Sequence, residues 1–160
     1  IANWCKTLNI EVELVGIDGN QHIINSNLEK TRTFKNIKFQ QALIMSENFD
    51  LPKCDIWISS HFMYHFDDVS FVQFMKKQSK NVKKAIIFSD LRRHKFSYRL
   101  FSFFGPIMPF NKAVIKDGLV AIRRSFKIKE LEALLNQASM TKFNIEKKWM
   151  FRYILTIDIN

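Results

Sequence analysis

The chain of 160 residues contains only four glycines and three prolines. So few turn-forming residues argue against glycine-rich repeats, proline-rich tails and long flexible linkers. No apolar run approaches the ~18 residues that span a bilayer, so the sequence predicts no transmembrane segment. The first residues, IANWCK, lack the charged, apolar and small-residue parts of a secretory signal peptide.

Cysteine is also scarce, because Cys5 and Cys54 are the only two. Their number and spacing match no zinc or iron–sulfur site, and we predict no metal. Two isolated thiols are typical of free cysteines in the reducing cytoplasm, which is the predicted location. A disulfide between them is the less favoured alternative.

Apolar residues, by contrast, are plentiful. They form 47% of the sequence, aromatic residues form 14%, and 16 residues are Phe. This composition is typical of a globular chain, and the length fits one domain covering residues 1–160. The net charge of +10 is compatible with an anionic partner, but the basic residues are scattered in short groups. A solvated surface is therefore favoured over nucleic-acid binding.

Short apolar runs alternate with segments of helical periodicity. This order predicts βαβ units and a parallel sheet covered by helices, an α/β fold. The last two apolar runs, FNIEKKWMF and RYILTIDI, have almost no connection between them and must form an antiparallel hairpin. The other predicted strands cover 12–18, 37–45, 54–60 and 83–90, and the predicted helices cover 1–8, 21–31, 69–77 and 128–139.

A different pattern covers residues 94–122, where an aromatic stretch is broken by Gly105, Pro106 and Pro109. We interpret this segment as a lid or acceptor-pocket insertion. Ser125 is the expected N-cap of the helix that follows it.

From Val12 to Ile159, the order of elements resembles the class I S-adenosylmethionine (SAM)-dependent methyltransferases, and VELVGID resembles the second strand of that fold. The resemblance implies a Rossmann-like, mostly parallel sheet that ends in an antiparallel hairpin. It also implies that the first strand and its glycine-rich turn, which would lie centrally, are missing from this chain. We therefore expect the residues to be part of a longer natural protein and to bind SAM poorly when isolated.

The same resemblance implies a cofactor site. Asp18 would hold the ribose hydroxyls, with Gly19 and Asn20 beside it, although Asp18 alone is equally consistent with a helix cap. Ala42 and Leu43 stand where the family places its adenine contacts. The family usually has an acidic residue at this point, and this chain lacks it. The backbone N–H of Leu43 is therefore the predicted contact with adenine.

The remaining candidate residues follow the predicted fourth and fifth strands. By the same resemblance, Ser60 would contact the methionine end of SAM. His61, also a candidate cofactor residue, and Tyr64 would stand with His65 around the mouth of the crevice. His65 is the candidate general base, or else a residue that hydrogen-bonds a loop carbonyl and structures the turn. The candidate substrate residues, apart from Tyr64, are Asp90, Arg92, Arg93 and Arg123.

Together these features predict SAM-dependent methyl transfer to a small aromatic or lipophilic acceptor. O-methylation is favoured, and C-methylation is the close second. Two alternatives from other classes are a nucleic-acid-binding or nucleic-acid-methylating protein and a degenerate, non-catalytic interaction domain. The oligomeric state is left open.

Overall fold

The computed structural model describes residues 1–109 and 111–159, and it divides them into two compact units at Asp50. Short helical turns at Met63–His65, Ser79–Asn81 and Gly105–Ile107 complete the regular structure. The strands are β1 Leu14–Asp18, β2 Ile37–Gln41, β3 Cys54–Ser60, β4 Val82–Leu91, β5 Phe143–Lys148 and β6 Arg152–Asp158. The helices are α1 Ala2–Thr7, α2 Gln21–Lys30, α3 Asp68–Gln78, α4 Lys95–Phe104, α5 Lys112–Arg124 and α6 Ile128–Gln137.

The first unit, Ile1–Asp50, is built on a parallel strand pair. β1 and β2 run in register from the pair Leu14 and Ile37 to the pair Asp18 and Gln41. Gly16 lies opposite Phe39, and a Cβ atom at Gly16 would approach the aromatic ring to 2.7 Å. A glycine at position 16 therefore leaves room for this ring to pack across the pair.

The second unit begins at Leu51 and contains a four-stranded sheet in the order β3-β4-β6-β5. β3 and β4 are parallel, whereas β6 is antiparallel to both of its neighbours. The hairpin predicted at the C-terminus is therefore confirmed. β1 and β3, between which the missing strand was expected, belong to different sheets.

The core of the second unit lies along β4 and β6. Ile86 and Phe88 are buried on β4, and Leu155 and Ile157 are buried on β6. Leu131, on α6, is also fully buried. Alternation of buried and half-buried residues along β6 follows from the two-residue period of a strand whose more buried face packs against the core.

Two sequence predictions require correction. β2 ends at Gln41 instead of continuing to residue 45. Ser125 does not cap α6, because its hydroxyl donates to the carbonyl of Ala121 at 2.6 Å and ends α5. The N-cap is Lys127, whose backbone N–H donates to the carboxylate of Glu130.

The segment interpreted as a lid, residues 94–122, contains α4 and most of α5, which pack against each other. Its Phe110, like Asn160 at the end of the chain, lies outside the described residues. The lid role and the single domain over 1–160 stay predictions. Within residues 1–109 and 111–159, every helix is too short or too polar to cross a bilayer.

Candidate functional site

In the first unit, the predicted cofactor residues lie together at the carboxyl ends of β1 and β2. The backbone N–H of Ala42 donates to the carbonyl of Asp18 at 3.1 Å, and the Gln41 side chain donates to the carbonyl of Gly19 at 3.2 Å. A Cβ atom at Gly19 would lie 3.4 Å from the Leu43 side chain. The two loops that follow the strands are therefore in direct contact.

Asp18 is half-buried and has one engaged carboxylate oxygen. Its Oδ1 accepts a hydrogen bond from the backbone N–H of Asn20 at 2.7 Å. The helix cap is Asn20 itself, because its side chain accepts from the backbone N–H of His22. Asp18 Oδ2 has no partner among the described residues, so this oxygen is available to a ligand.

Leu43 projects from the loop after β2 and is 72% exposed. Its carbonyl accepts from Ser46, whereas its backbone N–H donates to no backbone carbonyl in the described part of the chain. An exposed apolar side chain beside an open N–H matches a purine, which offers a flat apolar face and acceptor nitrogens at its edge. The residues present in this unit therefore fit an adenosine group.

In the second unit, polar side chains meet at the carboxyl ends of β3 and β4. Ser60 donates from its hydroxyl to the carbonyl of Ser89 at 3.0 Å, and the backbone N–H of His61 donates to the same carbonyl at 3.2 Å. His61 has a φ of 53°, in the left-handed region that non-glycine residues seldom adopt. This conformation turns the chain sharply away from the end of β3.

Arg152, the first residue of β6, joins these groups from the neighbouring strand. Its Nη1 lies 2.6 Å from Nε2 of His61, and its Nη2 donates to the hydroxyl of Ser89 at 3.0 Å. Longer contacts of 3.4 and 3.5 Å connect Nη2 to the Ser89 carbonyl and to the Ser60 hydroxyl. Because a guanidinium can only donate, this arrangement requires the lone pair on Nε2 of His61.

Asp90 supports the turn that carries Tyr64 and His65. The side chain is buried, with 2% exposure. Its Oδ2 accepts from the backbone N–H groups of Phe62 and Met63 at 2.8 and 2.9 Å, and its Oδ1 accepts from that of Leu91. The predicted substrate residue is thus fully occupied with the chain's own backbone.

Tyr64 and His65 lie on this turn with their rings 4.2 Å apart. Burial, followed by the nearby charges of Asp90 and Asp117, raises the pKa of Tyr64, so its phenol stays protonated at neutral pH. The backbone of His65 bonds to Phe62, whereas its exposed ring nitrogens have no described hydrogen-bond partner. The imidazole is therefore free to exchange a proton with a ligand.

The predicted substrate arginines have different environments. Arg93 forms an ion pair with Glu130, in which Nη2 donates to both carboxylate oxygens. This charge and the Lys127 backbone bond hold the pKa of Glu130 below its ordinary value, although burial alone acts to raise it. Arg92 is half-buried, and its Nε is buried without a hydrogen-bond partner.

Arg123 is exposed, and its neighbour Arg124 is the residue that reaches the 62–65 turn. Nη2 of Arg124 donates to the backbone carbonyl of His65 at 3.1 Å. α5 also packs against the turn as a whole. The pair of arginines at the end of α5 therefore contributes one direct contact to the site.

Sequence reasoning missed Ser89, which lies within β4, and Arg152, because no site residue was predicted in the C-terminal hairpin. A usable signal was nevertheless present. The last strand is antiparallel, so its first residue must lie where β4 ends, at the same edge as the ends of the parallel strands. A basic residue at that position is predicted to join the site.

No cluster of side chains suited to a metal ion occurs in residues 1–109 and 111–159.

No family model and no curated protein sequence matches this chain. Human N-acetylserotonin methyltransferase, solved with SAM, aligns with 98% of the chain at a TM-score of 0.63 and 12% identity. An O-methyltransferase family 2 protein from Planctomyces limnophilus, solved with apigenin, aligns with 98% at 0.65 and 10% identity. Magnesium protoporphyrin IX methyltransferase from Synechocystis, solved with bound S-adenosylhomocysteine (SAH), aligns with 91% at 0.61 and 10% identity.

The chain covers only part of these proteins: 43% of the human enzyme, 45% of the Planctomyces protein and 64% of the Synechocystis enzyme. Such low identities establish the fold and nothing finer. The predicted mostly parallel sheet with a closing antiparallel hairpin is confirmed, and this chain has the Rossmann-like fold of the class I SAM-dependent methyltransferases.

Proposed function

We propose that this chain belongs to a SAM-dependent methyltransferase that modifies a small aromatic or lipophilic acceptor. The observation that carries the proposal is the end of the β1–β2 pair, where the free oxygen of Asp18 and the open N–H of Leu43 stand on adjoining loops. In open α/β sheets, nucleotide ligands bind beyond the carboxyl ends of the strands. The fold shared with solved methyltransferases gives the proposal its reaction class.

In this proposal the residues of the first unit hold the nucleoside. The Asp18 carboxylate accepts hydrogen bonds from both ribose hydroxyls, and these charge-assisted bonds are stronger than bonds between neutral groups. Gly19 and Asn20 keep the backbone close to the ribose, and Ala42 and Leu43 border the adenine. When bound, SAM supplies an electrophilic methyl group that needs no metal for its transfer.

His65 is proposed as the general base for a phenolic acceptor. Its ring is exposed, is supported by Tyr64 and has no described hydrogen bond that would block a ring nitrogen. An imidazole nitrogen with a free lone pair can accept the phenolic proton. The deprotonated acceptor oxygen would then be the nucleophile for the methyl group that bound SAM would supply, with the sulfonium sulfur as the leaving group.

Ser60 and His61 are proposed to contact the methionine end of SAM. The acceptor is proposed to contact Tyr64, Arg92 and Arg123. Asp90 is proposed as a positioning residue, since its bonds to Phe62 and Met63 fix the turn that carries His65. O-methylation is favoured because the exposed imidazole suits an acidic hydroxyl, and C-methylation is the second candidate. The two free cysteines favour a reducing cytoplasm as the location.

Calorimetric titration of SAH into the full-length protein tests this proposal. Asp18→Asn keeps an oxygen for the Asn20 N–H but removes the negative charge. We expect it to weaken SAH binding about 10- to 100-fold, which matches the loss of about 1.5–3 kcal/mol for hydrogen bonds to a charged group. Glu13→Gln, at the opposite end of β1 and paired with Lys38, is the matched control and should bind SAH normally.

The outcomes separate two parts of the proposal. If the wild-type protein binds no SAH, methyl transfer is the wrong function. If wild type and Asp18→Asn bind SAH equally well, the ribose assignment is wrong although the reaction class stands.

A further inference from the structure

Arg152 carries a positive charge that no acidic side chain neutralises. All of its described hydrogen-bond partners are neutral: the ring of His61, the hydroxyls of Ser60 and Ser89, and the Ser89 carbonyl. No ion pair with Arg152 occurs among residues 1–109 and 111–159. A half-buried guanidinium without a counterion is unusual, because partial desolvation of a charge is ordinarily offset by pairing.

The acidic residues nearby are already engaged. Lys148 is paired with Arg152 in the hairpin register, and alternation along the strand places Glu146 on the same face. Glu146 forms its ion pair with Lys148, whose charge holds the pKa of Glu146 below its ordinary value. Asp90 stands opposite Tyr153, one residue further along β6 and thus on the other face, and accepts three backbone hydrogen bonds.

Arg152 also retains unused hydrogen-bond donors. A guanidinium has five N–H groups in a planar fork that matches a carboxylate, and Nε of Arg152 donates to no described group. Arg93, a candidate substrate residue, is by contrast already paired with the Glu130 carboxylate through its Nη2. Arg152 therefore brings an unpaired positive charge and a free Nε–H donor to the ends of β3 and β4.

We propose that Arg152 binds a carboxylate of a ligand at the carboxyl ends of β3 and β4. That carboxylate has two possible sources: the amino-acid part of SAM and an acidic acceptor. Only the choice between these sources rests on the proposed function, because the anion site itself is defined by Arg152, His61 and Ser89. Arg152 then sets which ligands the site accepts.

The anion site is tested with acetate alone. Acetate is titrated into the isotopically labelled full-length protein, and NMR follows the Arg152 Nε–H and the His61 ring signals. We expect saturable shifts of both, with a dissociation constant on the order of millimolar for so small a ligand. Arg152→Gln should abolish the His61 shift, and Arg99→Gln, which removes an exposed arginine on α4, should retain it.

Arg152→Lys distinguishes a folding defect from loss of the site. It keeps the charge but removes the planar fork, so it should weaken acetate binding without changing the melting temperature. Two results would overturn the proposal: wild-type signals that shift without saturating, or a shift that is the same in Arg152→Gln. Either result would show that Arg152 only holds His61 and Ser89 in place.

The source of the carboxylate is identified with two cofactor analogues. SAH has the amino-acid carboxylate, whereas 5′-methylthioadenosine keeps the nucleoside and the sulfur but lacks it. If the cofactor supplies the anion, Arg152→Gln weakens SAH binding about 10- to 100-fold and leaves methylthioadenosine binding unchanged. If Arg152→Gln changes neither affinity while acetate still binds the wild type at Arg152, the carboxylate belongs to the acceptor. Failure of both analogues to bind the wild type contradicts the proposed function, whereas the acetate result alone decides the role of Arg152.

Discussion

At the scale of single residues, Tyr153 places a hydroxyl group in the core, which lowers the stability of the fold. Its side chain is 1% exposed, and its hydroxyl has no hydrogen-bond partner in the described part of the chain. A buried unsatisfied hydroxyl destabilises a fold by about 1–3 kcal/mol. The ring nevertheless fills the core of the second unit, so removal of the oxygen alone should be favourable.

We therefore expect Tyr153→Phe to increase the free energy of unfolding by about 1 kcal/mol, since it removes the unsatisfied group and keeps the ring. Urea denaturation at neutral pH measures this change. Tyr98→Phe, on α4, is the control and should have little effect. A loss of stability in Tyr153→Phe would mean that the hydroxyl makes a favourable interaction.

The same residue predicts a dependence on alkaline pH. Burial, followed by the Asp90 charge, raises the pKa of Tyr153 far above its ordinary value of 10.0. The phenol therefore stays protonated in the folded chain while the unfolded chain ionises, so stability is complete below pH 10 and falls as the pH rises above it. Tyr153→Phe should reduce this fall in urea denaturation between about pH 9 and 11, and an unchanged profile would contradict the assignment.

The residue scale also shows why part of the candidate site could be predicted and part could not. The position of Asp18 at the carboxyl end of β1 was predictable, because the sequence shows where the short apolar run ends. Its ribose role stays a prediction. The hydrogen-bond partners of Asp90 were not predictable. An aspartate at the end of a strand can be buried and hold a backbone turn, or be exposed and bind substrate, and the sequence is the same in both cases. Only the burial and the hydrogen bonds of Asp90 separate the two readings.

At the scale of elements, the 61–65 turn depends on Asp90 from the adjacent strand. Two backbone N–H groups of the turn donate to one oxygen of this carboxylate, and the left-handed His61 precedes them. Hydrogen bonds to a charged group contribute about 1.5–3 kcal/mol each. The turn is consequently held by tertiary bonds more than by its own short helical segment.

Asp90→Asn should therefore destabilise the second unit by about 2–3 kcal/mol, because an amide accepts these bonds more weakly and buries an NH₂ group without an assigned acceptor. Thermal and urea denaturation measure the loss. Asp117→Asn, an exposed carboxylate on α5, should leave stability within about 0.5 kcal/mol of wild type. Equal stability of Asp90→Asn and wild type would show that the turn is held by other contacts.

Elements also differ in how far the sequence determines them. The C-terminal hairpin was predictable because two strand-like runs with almost no connection allow only antiparallel pairing. The connection between α5 and α6 was not predictable, because a serine between two helices can cap the start of the second helix or end the first. Here Ser125 bonds back to Ala121, and the backbone N–H of Lys127 donates to Glu130, so the N-cap of α6 lies two residues later than expected.

At the scale of the whole molecule, the buried apolar side chains are distributed very unevenly. Among those that the structure describes, the first unit contributes only Cys5, Ile24 and Phe49, and the others all lie from Leu51 onward. A two-stranded sheet is marginally stable in water without a larger apolar face to cover it. The four-stranded sheet of the second unit has such a cover, because its core residues on β4 and β6 are fully buried.

Amide hydrogen exchange rates should therefore differ between the two units, which meet in sequence at Asp50 and Leu51. Local opening free energies depend on buried contacts, so the amides of β1 and β2 should exchange much faster than those of β4 and β6. Mass spectrometry of the exchanged 160-residue chain measures the difference segment by segment. Added SAH should slow exchange in β1 and β2 if the nucleoside binds at Asp18, because a ligand stabilises the state to which it binds. Equal protection of both sheets without ligand would mean that the first unit gains its stability from contacts beyond its own few buried residues.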